Sequence, residues 1–297
     1  MDRNPPTSVR RTLREEVGFC CPIEGCGSPY LSYHHFDPPW ASEEHHNPDG
    51  MIALCLQHHK EADVGTYSND QLRNLKKAGR SQQPIKGRFN WKREGTLIIA
   101  GSNYFIGSPT LLEVNKVKQI WFEKDDNNND VVNMDLYSSD GSLVFQMRSN
   151  DWIVLPNFED IECPPSAKRL KIRSKRFGVS LDLEFSNKDI TDIKRLAESI
   201  SWNSILQSVK EHNKKTLPDF IPKKDFKAEL AQTVAKVTDY VSKNLGEKDI
   251  VTCVVNLSVD FPVQLRLTPK ELFTKINQSS FTFRGCLMGS ATVLSFQ

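Results

Sequence analysis

Nowhere in the 297 residues does an apolar run approach the ~18 that a membrane-crossing helix needs, so no membrane span is predicted. The opening "MDRNPPTSVRRTLREE" lacks the apolar core of a signal peptide, which points to a chain retained in the cytoplasm. There is no internal repeat, no low-complexity tract and no glycine-rich loop of the kind that cradles phosphate. Repeat arrays and glycine-loop nucleotide sites therefore find no support. Cysteine is sparse over most of the length. Cys163, Cys253 and Cys286 stand singly, which reads as core thiols in a reducing compartment and not as a disulfide framework. A net charge of only +2 says little about partners, so any electrostatic role depends on where the charges fall.

What the chain does have is concentrated. Cys20, Cys21, Cys26 and Cys55 flank a segment holding His34-His35, His45-His46 and His58-His59, which accounts for all but one of the seven histidines. Composition elsewhere is that of a folded protein, 38% hydrophobic and 26% charged, long enough for two domains. Val9, Leu13 and Val17 recur at helical spacing after a Thr7 or Ser8 cap. "FCCPIEGCGSPY" is a cysteine-bearing loop, "YLSYHH" and "MIALC" suit short strands, and "LQHHKEAD" suits a helix. "SNDQLRNLKKAG" predicts a further helix capped by Ser68 or Asn69 and closed by Gly79. Beyond Gly95, short β-type runs alternate with Asn, Asp, Gly and Pro turns, and helical stretches fall near 187–209 and 224–244. The expectation is an α+β chain: a metal-stapled module over 1–80, a basic linker over 81–94, and a β-rich domain over 95–297, divisible near 187–250. That last domain is expected to fold without the module and to supply control.

The spacing of the sulfur and imidazole groups carries the chemistry. Cys21 and Cys26 sit in one tight loop, and Cys55 and His58 lie on one side of a helix. Together they form a closed Cys3His set suited to structural zinc, with Cys20 competing for the place of Cys21. On a helix His59 points about 100° away from His58, and on a strand His34 and His35 face opposite ways, so adjacent rings serve different sites. One arrangement accounts for both pairs: His34 and His59 bind a second, catalytic metal, and His35 acts as a base beside it. Asp63, on the His59 face, is either a second-shell partner or a solvated carboxylate.

These residues, "HH" on a strand followed by "ALC-xx-HH" leading into a helix, with a cysteine knuckle in front, resemble the HNH nucleases with their ββα-metal module. The resemblance covers about Gly18 to Leu75. It implies His35 as general base, His34 and His59 as ligands of catalytic Mg2+ or Mn2+, and Cys21, Cys26, Cys55 and His58 as the Zn2+ set. It also implies cleavage that leaves a 5′-phosphate. The middle asparagine of that family usually falls where this chain has Gly50; Asn47, three residues earlier, is the remaining candidate for its role.

A basic run with no Asp or Glu follows the module, including Arg73, Lys76, Lys77, Arg80, Lys86 and Arg88, and reads as a phosphate-tracking surface. A second run places Arg169, Lys171, Arg173 and Lys175 on one strand face. The sequence thus predicts a metal-dependent endonuclease acting on nucleic acid, most naturally DNA. The extra domain fits an effector of phage defence or restriction, directed by a protein partner or signal ligand. The competing reading is a zinc-stapled nucleic-acid reader whose catalytic centre has decayed.

Overall fold

The computed structural model describes residues 2–77, 84–101, 103–156, 158–174, 176, 178–199, 223–260, 264–268, 271–276, 279–283 and 292–296. The N-terminal unit opens with α1 (Thr7–Glu16), entered from Pro6 with no side-chain cap, so neither Thr7 nor Ser8 caps it. Leu13 is its fully buried anchor. Strands β1 (Leu31–His35) and β2 (Met51–Cys55) pair antiparallel, Leu31 opposite Cys55 and His35 opposite Met51. Helix α2 (Leu56–Asp63) begins directly on β2, with Cys55 as its N-cap. Helix α3 (Asn69–Lys77) starts on a reciprocal box: the Gln71 N–H donates to Ser68 Oγ, and the Ser68 N–H donates to Gln71 Oε1. The core of this unit is small, built around Leu13, Val17, Phe36, Ile52, Leu54 and Leu72.

The segment expected as a basic linker over 81–94 carries a strand, β3 (Ile85–Arg88). Lys86 and Arg88 face out while Ile85 and the following Phe89 are buried, so a half-buried alternation lies inside the basic run. Gly87 sits against Trp152, where a Cβ would come within 2.2 Å of the indole. These residues belong to the β-rich part.

Its strands run β4 (Thr96–Ala100), β5 (Asn103–Phe105), β6 (Thr110–Val114), β7 (Val117–Lys124), β8 (Asp130–Tyr137), β9 (Leu143–Arg148) and β10 (Asp151–Val154). They continue as β11 (Asp160–Glu162), β12 (Arg169–Ser174), β13 (Val179–Lys188), β14 (Ile250–Val259), β15 (Gln264–Thr268), β16 (Glu271–Ile276), β17 (Ser279–Phe283) and β18 (Thr292–Phe296). One sheet has the order β18-β6-β7-β8-β9-β10-β3; the other runs β11 to β17 in sequence, with β4 and β5 joined beside β14. Ile120, Met134, Phe145 and Trp152 from the first sheet meet Ile172, Leu181, Phe185 and Val255 from the second in one core. Helix α4 (190–199) and α5 (Lys223–Leu245) cover the other face of the second sheet through Ile193, Val234, Val237 and Val241. Strand β14 serves both: Cys253 and Val255 turn to the sandwich and Ile250 to the helices. The architecture is α+β. No helix among the described residues is long and apolar enough to cross a membrane.

The two parts are joined through buried polar groups. Arg14 is 1% exposed and forks onto Asp160, with Nη2 at 2.8 and 3.0 Å from the two carboxylate oxygens. Its Nη1 donates to the Tyr33 hydroxyl at 2.8 Å. The Leu31 N–H donates to the Cys163 carbonyl at 3.2 Å, and Tyr30 forms a parallel bridge with Cys163, so β1 is continued onto the second part. Asp160→Ala leaves the buried Arg14 guanidinium with only the more distant Glu162 carboxylate, 3.7 Å away, and a loss of stability of up to about 3–5 kcal/mol is expected. Urea denaturation followed by tryptophan fluorescence measures it. Asp160→Asn, which keeps an acceptor, should cost less, and an unchanged midpoint in the alanine variant would show that the pair is dispensable.

Candidate metal centre

The turn after α1 delivers Cys21 and Cys26, and the β2–α2 junction delivers Cys55 and His58. Their four ligand atoms lie within 4.8 Å of one another, close enough to hold a metal ion. Cys26 and Cys55 sulfurs are 3.8 Å apart, and His58 Nδ1 is 3.3 Å from Cys21 Sγ and 3.2 Å from Cys55 Sγ. A tetrahedral zinc would set such sulfurs about 3.8 Å apart and a sulfur about 3.6 Å from a nitrogen. A disulfide would need about 2.05 Å. Burial pushes the Cys21 thiol up to about 12, so a thiolate there requires a cation to balance it. Between the two neighbouring cysteines, the structure brings Cys21 and not Cys20 into this set.

One residue along α2, the geometry changes partner. His34, His59 and Asp63 also bring ligand atoms within 4.8 Å of one another. Asp63 Oδ1 lies 3.2 Å from His34 Nδ1 and 3.7 Å from His59 Nε2. Adjacent ligands of an octahedral ion with bonds of about 2.1 Å sit about 3.0 Å apart, near this spacing. His34 Nδ1 is buried and faces Asp63 across that gap. Asp63, expected as a second-shell partner or a solvated carboxylate, stands in the cluster itself.

His35 lies on the other side of β1. Its ring centroid is 4.7 Å from Trp40, 5.2 Å from His45 and 5.9 Å from His46. His35 lines a cavity of about 290 Å3 together with His34, Asp63 and Trp40, which puts it on the same space as two of the three clustered side chains. Burial, reinforced by the charges of His45 and His46 and partly offset by a backbone hydrogen bond at His45, lowers its pKa to about 4. Burial also lowers His34 and His59 from their ordinary value. For a histidine depressed in the folded state, the unfolded chain takes up protons first as pH falls. Its contribution to stability is therefore level above about 6.5, declines with acidification and flattens near 4. Denaturation midpoints should drop between pH 7.5 and 5, with a shallower drop in His35→Asn. Equal pH slopes in the two proteins would show that the ring is solvated.

The turn before β2 leaves no room for a side chain at position 50. A Cβ on Gly50 would lie 1.8 Å from the carbonyl oxygen of Asp37, in the bend that follows β1. No asparagine fits there. Asn47 Oδ1 instead accepts from the Asp49 N–H and caps the short turn Pro48–Gly50. His45 is locked between the Asn47 N–H, which donates to its Nδ1, and the Pro38 carbonyl, which accepts from its Nε2 at 2.8 Å. His45 therefore acts as a loop brace, and His46 stacks on Trp40 with centroids 5.4 Å apart.

The basic run divides. Arg73 is held by Asp37 and by Asp70 at 2.9 Å. Lys76, with a side chain only 10% exposed, reaches the Pro48 carbonyl and Glu16 at 3.2 Å. Both are engaged by partners within the N-terminal unit. Arg88 pairs with Asp151, while Lys77 and Lys86 are exposed. Arg80 lies outside the described residues. In β12 the basic side chains do alternate with buried ones, and Arg169 is paired with Asp182; Lys175 is outside the described residues. Cys163 and Cys253 are buried core thiols, both raised by burial; Cys286 is outside the described residues. A larger cleft of about 1220 Å3 between α4 and α5 contains neither metal-ligating group. Comparison with protein-family models, with curated proteins and with solved structures finds no match to this chain, so the reading of the centre stands on its own geometry.

Proposed function

We propose that the N-terminal unit is a metal-dependent nuclease of HNH type that hydrolyses phosphodiester bonds, with DNA as the favoured substrate. The observation that carries this reading is the convergence of His34, His59 and Asp63 on one point, beside a buried neutral His35 that borders the same cavity. In this reading Cys21, Cys26, Cys55 and His58 hold a structural zinc that ties the cysteine loop to α2. His34 Nδ1, His59 Nε2 and Asp63 Oδ1 hold a catalytic Mg2+ or Mn2+. When bound, that ion supplies positive charge at the phosphoryl and leaving oxygens.

The chain's own residues do the remainder. His35 is unprotonated across the neutral range and takes the proton of the attacking water. Trp40 and Phe36 wall its cavity. Arg3 is exposed and lines both the His35 cavity and the adjoining one beside His59, where it is placed to meet a phosphate. Lys77 and Lys86 extend the positive surface. The β-rich part supplies the wall of the second cavity through Glu162 and Pro164, which suits a role in directing or restraining the cut. An effector in phage defence or restriction fits that arrangement.

The test is incubation of the full chain with plasmid DNA, single-stranded DNA and RNA, in Mg2+, Mn2+ or EDTA. Metal-dependent cleavage supports the reading. Binding without cleavage under every condition favours the nucleic-acid reader, for which the absence of an asparagine at Gly50 is the supporting observation.

A further inference from the structure

We propose that Ser32 is a positioning residue for the divalent-ion site, holding His59 in the tautomer that presents Nε2 to the ion. The inference rests on the reading of His34, His59 and Asp63 as that site. Ser32 stands two residues before His34 on β1, so both side chains share one face of the strand. It is paired in register with Leu54 of β2. From there its hydroxyl meets two groups at once: Leu54 O at 3.1 Å and His59 Nδ1 at 2.7 Å.

A serine hydroxyl has one proton and two lone pairs. The Leu54 carbonyl can only accept, so the proton goes there. Ser32 Oγ then faces His59 Nδ1 with a lone pair, and a contact of 2.7 Å is a hydrogen bond only if Nδ1 carries the hydrogen. A neutral imidazole protonated at Nδ1 has its free lone pair on Nε2, the atom 3.7 Å from Asp63 Oδ1. The opposite tautomer would aim an N–H at the ion position and exclude a cation. The relay Leu54 O, Ser32 Oγ, His59 Nδ1 thus ties the ligand's protonation to the β1–β2 ladder. It also fixes the ring's rotation about its side chain.

Outer partners of this kind typically contribute 10–100-fold in metal affinity. The experiment titrates Mn2+ into the full-length protein and reads free Mn2+ by electron paramagnetic resonance, with zinc content and far-UV circular dichroism measured alongside. Ser32→Ala should weaken Mn2+ binding about 10–100-fold while zinc and fold are retained. Ser32→Thr and Ser32→Val, alike in shape but differing in the hydroxyl, decide the matter even if the alanine variant folds poorly: Thr should bind like the wild type and Val like Ala. Equal Mn2+ affinity in the Thr and Val variants overturns the positioning role. A wild-type protein whose Mn2+ binding is indifferent to His34→Ala and His59→Ala overturns the site itself, and the positioning role with it.

Discussion

Cys55→Ala is expected to leave the N-terminal unit without a stable fold and the protein without bound zinc. Cys55 closes β2, opens α2 as its N-cap and faces Cys26 across 3.8 Å, so it joins three elements at one residue. The apolar core around Leu13, Ile52 and Leu72 is thin. Metal binding in small modules contributes about 10–16 kcal/mol, comparable with or larger than the ~5–15 kcal/mol that separates most domains from unfolding. Three remaining ligands cannot replace that. Elemental analysis should find a single zinc in the wild type and none in the variant, and limited proteolysis should open the variant within residues 7–77. Chelation of the wild type should reproduce the pattern. A zinc-free Cys55→Ala protein that resists protease would show that the cysteines are ordinary core thiols.

His35→Ala should reduce cleavage by about two to four orders of magnitude, the scale on which a general base acts. The substitution removes neither set of metal ligands, so zinc content, fold and affinity for nucleic acid should persist. His59→Ala should abolish cleavage by a separate route, loss of the divalent ion, with partial recovery in excess Mn2+. His58→Ala, its neighbour in sequence, should behave like Cys55→Ala and unfold the unit. Adjacent histidines would then fail in different ways because successive α2 side chains diverge by about 100°. Unchanged cleavage in His35→Ala would remove the base from the scheme.

The cluster of Cys21, Cys26, Cys55 and His58 was legible because metal geometry imposes short, regular spacings on sequence: two cysteines in one turn-rich loop, then Cys55 and His58 one helical turn apart. The choice of Cys21 over Cys20 was not, since two neighbours in an irregular loop differ only by where the backbone points. Asp63 had the right helical offset from His59, but a carboxylate on an exposed helix is commonplace. Its meaning comes from His34, brought to 3.2 Å by the sheet. Arg73 and Lys76 read as free charges because a tally of basic residues does not see Asp37 and Glu16. The same blindness hid Arg14–Asp160, whose partners are 146 residues apart, and the strand inside the basic run at Ile85–Arg88. Local chemistry was readable; long-range pairing was not.

Strand β1 has a consequence for how this protein tolerates change. Ser32 and His34 turn toward α2, while Tyr33 turns toward Arg14 and through it toward Asp160. Because side chains alternate with period two, deleting or inserting one residue here exchanges the two faces in a single step. Length variation in Leu31–His35 would therefore be purged, whereas point changes on one face could accumulate and be compensated separately. The unit is also a poor cassette for recombination. Spliced onto a foreign carrier, it would bring an arginine shaped for one particular carboxylate, and the graft would succeed only where the new host offered that carboxylate in the same place.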